Sequence, residues 1–272
     1  MSEFLELKTT NQEEQSFNGQ ALHKQLYINP KAVIEHPPIA LSCGRAFDYP
    51  VPIVTYGNFA CIVGASKSMK SFFKSALLSC YIGGKAQTRF DDILGHETKG
   101  KFVIDIDTEQ SEYHAQKAAN RVLSMCGGDY QNYKMFALRS ITPKERVEFI
   151  EWLFKESEYK NKIGLCSIDG VADLIENVND LDKSNEITQK LMTLSAENNA
   201  AILTILHRNF DSDKPTGHLG SAILKKAESV IFVDKSEKIV SVAPKYTRNI
   251  AFDGFTFTVD EQGLPYKLQT NF

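Results

Sequence analysis

From Ile39 onward the chain alternates short apolar runs with longer stretches in which apolar residues recur every three or four positions. Residues 59–63, 102–106, 135–138, 163–168 and 201–206 are nearly unbroken apolar runs of strand length, the pattern of central strands covered on both faces. Between them, helical periodicity predicts helices at about 70–82, 110–126, 142–158 and 184–198, with a shorter one near 219–227. The third opens with Thr142-Pro143-Lys144-Glu145, the order of a capping box with proline at the first helical position. Strands alternating with helices predict repeated βα units around a mainly parallel sheet, an α/β fold flanked by helices. The last three apolar runs, 230–233, 239–242 and 255–258, predict a C-terminal antiparallel extension of that sheet. There is no internal repeat and no low-complexity segment.

Residues 1–36 are polar, with Ala32-Val33-Ile34 the first firm apolar cluster, and end in His36-Pro37-Pro38, which disfavours helix and marks a boundary. They read as an extension or arm, with 37–272 as a single domain. A chain of 272 residues accommodates one such core and little more. No apolar run approaches the roughly 20 residues of a membrane helix, and Met1-Ser2-Glu3-Phe4-Leu5-Glu6 lacks the basic start and apolar stretch of a secretory signal. The expectation is a cytoplasmic protein that does not engage a membrane. Five widely spaced cysteines without a C-x-x-C pair read as buried, reduced thiols, not zinc ligands. A net charge of −3 gives no overall attraction to nucleic acid, so any such contact must come from a local patch.

The chemistry begins at Gly64-Ala65-Ser66-Lys67-Ser68-Met69-Lys70-Ser71, between an apolar run and a helical one. A phosphate loop needs a strand, a tight turn whose N–H groups face inward, a helix N-terminus, a Lys for the β- and γ-phosphates and a Ser or Thr for Mg²⁺. Gly64, Lys70 and Ser71 occupy the first, seventh and eighth places of that pattern. Met69 stands where the second glycine belongs, so it must take an ordinary backbone conformation or be held by its neighbours. Lys67 and Ser68 add a cation and a hydroxyl.

Three further strand ends carry polar groups where ligands of open α/β sheets bind. The segment Asp105-Ile106-Asp107-Thr108-Glu109-Gln110-Ser111 offers Glu109 as the base that orients the attacking water; Thr108 and Glu109 would equally serve as caps for the next helix. Asp169 before Gly170 is placed to hold Mg²⁺ through water, or is a turn residue. His207, in Leu206-His207-Arg208-Asn209, is placed to sense the γ-phosphate, or is a structural histidine.

With those residues in order, the chain resembles the RecA-like P-loop ATPases, in particular the branch of RepA-type and DnaB-type hexameric helicases of phages, plasmids and mobile elements. The likeness spans roughly residues 38–260, including Pro37-Pro38-Ile39-Ala40-Leu41-Ser42 and Gly57-Asn58-Phe59 ahead of the loop. It implies ATP and Mg²⁺ as ligands, with Glu109 and Lys70 catalytic, Ser71 and Asp169 holding the metal, and His207 ending the sensor strand. Gly217-His218-Leu219-Gly220-Ser221-Ala222 is similar to the element that follows a DNA-facing loop, which places 208–216 at a central channel. Pro244-Lys245-Tyr246-Thr247-Arg248-Asn249 is similar, with one extra residue, to the element that reaches a neighbouring subunit's ATP, so Lys245 and Arg248 would act in trans; such basic residues also guard a strand edge. The implied function is a nucleic-acid-dependent ATPase that forms a homo-oligomeric ring, expected to be a hexamer, on single-stranded DNA, with replication or mobile-element proteins as partners. A RecA-like strand-annealing recombinase and a nucleotide-binding regulatory module are the alternatives.

Overall fold

A computed structural model describes residues 17–208 and 216–269. Internal contacts group Met1–His36 and Pro37–Phe272 as two units. In the first, α1 (Gly19–Leu26) begins where the Asn18 side chain accepts a hydrogen bond from the Ala21 N–H at 3.0 Å, which satisfies one of the open donors of a helix start.

The second unit runs β1 (Ile39–Ala46), β2 (Tyr49–Thr55), β3 (Phe59–Gly64), α2 (Lys70–Ile82), β4 (Ile93–Gly95), β5 (Phe102–Asp107), α3 (Glu112–Cys126), β6 (Tyr133–Ala137), α4 (Pro143–Lys155), β7 (Ile163–Asp169), α5 (Leu181–Asn198), β8 (Ala201–His207), α6 (Gly217–Lys226), β9 (Ser229–Ser236), β10 (Ile239–Thr247), β11 (Phe255–Val259) and β12 (Pro265–Lys267). Among the described residues, nine strands form one sheet in the order β12-β11-β10-β9-β3-β8-β7-β5-β6. From β9 to β6 every pairing is parallel, and from β9 to β12 every pairing is antiparallel. The α/β fold, with a parallel centre and antiparallel C-terminal strands, is the one the hydrophobic pattern predicts.

Three details differ from the expectation. Of the three C-terminal runs, the first is β9, which lies parallel to β3 because α6 carries the chain back across the sheet before it pairs; the antiparallel part starts at β10. A separate three-stranded sheet, β2-β1-β4, takes two strands from before the phosphate loop segment and one from after α2. Its pattern is masked by Pro50 and Pro52 in β2, which sits at the sheet edge, where a missing N–H costs no ladder bond. Finally, α3 starts at Glu112, not 110, because the N–H groups of Glu109 and Gln110 donate to Asp107 Oδ1 at 2.9 and 2.7 Å. The capping box of α4 is present in both directions, Thr142 to Glu145 and back.

Side-chain alternation divides the core between the two sheet faces. Ala60, Ile62, Val103, Leu203 and Ile205 pack with Phe73 and Leu77 of α2 and Val122 of α3. On the other face Phe59, Cys61, Val63, Ile104 and Ile202 meet Ile150 of α4, Ile187 of α5 and Leu219 of α6. Phe73, fully buried, sits 6.1–6.2 Å from the rings of Phe255 and Phe257 on β11. Burial of such a ring contributes about 2–3 kcal/mol, and here it fixes the β11–β12 turn beside the helix that starts at the phosphate loop. Four of the cysteines are buried and Cys126 is half-buried, all unpaired. Among the described residues, no helix is long and apolar enough to cross a membrane.

Candidate active site

Parallel pairing sets four strand ends side by side. Gly64 at the end of β3 is opposite His207 at the end of β8, Asp169 of β7 is opposite Ile205 of β8, and Asp107 of β5 is opposite Asp169. All the polar groups singled out at strand ends, together with the loop after β3, thus gather at one carboxyl edge of the sheet, where open α/β folds bind ligands.

The loop between β3 and α2 makes a tight turn despite its substitution. Met69 takes the left-handed conformation, φ 70° and ψ 21°, and caps α2; Lys67 is left-handed too, at φ 61°. Each such non-glycine residue costs about 1–2 kcal/mol. Met69 is therefore held by its neighbours, and its half-buried side chain packs on the core beneath α2. Gly64 admits no side chain: a Cβ there would lie 2.3 Å from the Val233 carbonyl oxygen and 2.5 Å from Ser68 Oγ. The Ser68 hydroxyl is buried without a hydrogen-bond partner, as expected of a donor that awaits a ligand.

Lys70, buried, donates to the carbonyls of Gly64 and Ala65 at 2.9 and 2.6 Å, and its Nζ lies 3.2 Å from His207 Nδ1. On the other side of the imidazole, Nε2 is 3.0 Å from Glu109 Oε1. The ammonium can only donate, so Nδ1 accepts and Nε2–H donates to the carboxylate. His207 is thus the bridge between Lys70 and Glu109. Burial holds the Lys70 pKa below that of a free lysine, against the opposing pull of Asp169 and Glu109. Thr108 does not cap α3: its one O–H lies within reach of three acceptors, the carbonyls of Asp169 and Gly170 and the Asp173 carboxylate, at 2.9–3.0 Å. That pins the strand end that carries Glu109 to the one that carries Asp169.

Neither a protein-family model nor a curated protein sequence matches the chain. Among solved structures, the crystal structure of the RadB recombinase superposes with a TM-score of 0.51 at 18% identity, over 80% of this chain and 94% of that one. The fold is RecA-like. At that identity the likeness concerns architecture alone, and the chemistry of this RecA-like core rests on its own residues.

A cavity of about 750 Å³ opens at the edge just described, a volume suited to a nucleotide. It is lined by the loop from Ser66 to Phe72, by Glu109, Asp169 and His207, by Lys117 and Arg121 of α3, and by Gln262–Leu264 of the β11–β12 turn. The residues fit a bound nucleotide with Mg²⁺ on three counts: the cradle at Gly64 that a Cβ would fill, the unpartnered Ser68 hydroxyl, and Asp169 Oδ2, buried without an aligned hydrogen bond. Among the described residues, no cluster of three His, Cys, Asp or Glu side chains forms a ready metal cage. A divalent ion here would take its other ligands from phosphate and water.

Two residues of the RecA-like core were not singled out from the sequence, Lys74 and Arg121. Lys74, wholly buried on α2, lies 2.9 Å from Asp105 Oδ1 and 3.2 Å from Asp169 Oδ2. Its signal was a charge in a helix whose neighbours Phe73, Ala76, Leu77 and Leu78 are all apolar. The other is Arg121, whose guanidinium lies 3.7 Å over the Phe72 ring at the cavity wall.

Lys245 and Arg248 are not brought to this edge. β10 runs antiparallel to β9 with Thr247 opposite Ser229, and the Arg248 N–H donates to the Glu228 carbonyl, whose own N–H bonds Phe59 at the start of β3. Both side chains are exposed at or toward the opposite end of the sheet; Lys245 Nζ lies 5.7 Å from the Phe232 ring and Arg248 Nη2 donates to the Lys226 carbonyl. The DNA-facing loop expected at 208–216 lies, from 209 to 215, outside the described residues.

Proposed function

We propose that this chain hydrolyses ATP at the phosphate loop of its RecA-like domain, residues 37–272, and couples that hydrolysis to single-stranded DNA. The observation that supports it is the convergence of Lys70, Ser71, Glu109, Asp169 and His207, from four adjacent strand ends, on one cavity. Lys70 would leave the loop carbonyls for the β- and γ-phosphates, and the N–H groups at the start of α2 would face the same anion. Ser71 and Asp169 would hold Mg²⁺, which neutralises phosphate charge when bound. Glu109 would orient water for in-line attack and take its proton as the bond to the leaving β-phosphate breaks. His207, bonded to Glu109 on one side and Lys70 on the other, would link the state of the γ-phosphate to the loop that follows β8.

At the finer level, we read the protein as a ring-forming DNA helicase of replication or of a mobile element, expected to be hexameric. Lys245 and Arg248 would complete the neighbour's site, residues 208–216 would face DNA, and residues 1–36 would form an extension outside the ATPase domain. The exposure of the Lys245 and Arg248 side chains, neither of which reaches the cavity of its own chain, agrees with a role in trans. A Lys70→Ala protein should lose about 10²-fold or more of its turnover; parental turnover in that variant would refute the reading. The second reading, a strand-pairing recombinase, draws support from the likeness to the RadB recombinase. Electron microscopy with single-stranded DNA and a non-hydrolysable nucleotude analogue separates the two, with closed rings expected for the helicase and helical filaments for the recombinase.

A further inference from the structure

We propose that Lys74 is a positioning residue that holds the Asp169 carboxylate in place for the divalent cation of a bound nucleotide. The inference rests on the nucleotide-site reading above and extends it to a group outside the cavity wall. Lys74 is four residues after Lys70, one turn along the same face of α2. Lys70 serves the loop, and Lys74 points beneath it.

The surroundings of Lys74 are asymmetric. Asp105 is fully engaged: it also accepts hydrogen bonds from Ser167 and from Tyr133 at 2.9 Å, so it anchors the ammonium. Asp169 Oδ2, by contrast, meets Lys74 Nζ at 3.2 Å and has no aligned hydrogen bond. One lysine, with a side chain wholly shielded from solvent, is therefore fixed by β5 and presents its charge to the end of β7. Stability alone is a weak reason for such an arrangement, since buried ion pairs replaced by apolar groups of equal size often leave a protein no less stable. A reason of position fits better: the group that orients a metal-facing carboxylate typically controls cation affinity about 10- to 100-fold.

Lys74→Met alone strands two buried carboxylates and is expected to fold poorly, so the test uses two other variants. Asp105→Asn keeps the Lys74–Asp169 pair; Lys74→Met with Asp105→Asn removes it while leaving the formal charge of the trio at −1. Each is assayed for ADP binding in EDTA and for the gain in ADP affinity on Mg²⁺ titration. Asp105→Asn should show the parent's Mg²⁺ dependence. The double variant should bind ADP in EDTA as the parent does, yet need about tenfold or more Mg²⁺ for half its effect. A double variant with the parent's Mg²⁺ dependence, whatever its melting temperature, would overturn the role of Lys74. A parent whose ADP binding ignores Mg²⁺ would instead overturn the site reading itself, and that failure shows before any variant is made.

Discussion

Met69 offers a test in which the sign of an effect, not its size alone, carries the information. Replacing it by Ala or Gly removes the same half-buried side chain from the core beneath α2, so the packing loss nearly cancels between the two variants. What differs is the backbone. At φ 70°, an alanine bears about 1–2 kcal/mol of left-handed strain, which glycine does not. Glycine in turn costs about 0.5–1 kcal/mol through the greater freedom of its unfolded chain. The balance makes Met69→Gly the more stable of the pair by roughly 0.5–1 kcal/mol, the reverse of the order at ordinary helix positions. Urea unfolding of both proteins at one pH, with equal slopes, measures the difference directly. An alanine variant as stable as the glycine one, or more so, would show that residue 69 is not left-handed and that the loop is not built as described. Met69→Gly should also retain nucleotide binding, because it restores the residue that this conformation favours.

Further outcomes follow from the same geometry. Gly64→Ala should abolish nucleotide binding without unfolding the protein, since a Cβ 2.3 Å from the Val233 carbonyl must displace the loop; calorimetric titration with ADP reads it, and parental affinity would contradict it. Phe73→Ala should cost about 3–5 kcal/mol in urea unfolding, because the ring is fully buried against Phe255 and Phe257; a loss under 1 kcal/mol would contradict the packing. Burial raises the Asp107 pKa above its unfolded value, with the N–H donors of Gln110 and Glu109 opposing. The folded state then holds a proton that the unfolded state has released, so stability falls as pH rises from about 4 through the raised value. Asp107→Asn, whose Oδ1 still accepts from Glu109 and Gln110, should be more stable than the parent at pH 7, with the gap closing toward pH 3; a gap independent of pH would refute the assignment.

The parallel sheet was legible because its strands are buried on both faces, so residues 59–63, 102–106, 163–168 and 201–206 leave unbroken apolar runs. The small β2-β1-β4 sheet was not, since Pro50, Pro52 and Gly44 break the pattern of its strands and only tertiary packing makes them strands. At the site, the order of Lys70, Glu109, Asp169 and His207 along the chain was readable, for each ends a run or begins a helix. Their junction through His207 was not, because a contact between residues 98 and 137 positions apart depends on which strands neighbour each other. The partnership of Lys74 with Asp105 stayed hidden for a similar reason: Lys74 looks like a stray charge in an apolar helix until the packing of α2 on the sheet brings it to Asp105.

The most direct test of the central claim is ATP turnover, with and without single-stranded DNA, of the parent beside Glu109→Gln. The account predicts Mg²⁺-dependent hydrolysis by the parent, stimulated by the DNA, and a variant that binds ATP yet turns it over at least about 10²-fold more slowly. A parent that binds ATP without hydrolysing it, or a Glu109→Gln protein as fast as the parent, would contradict it.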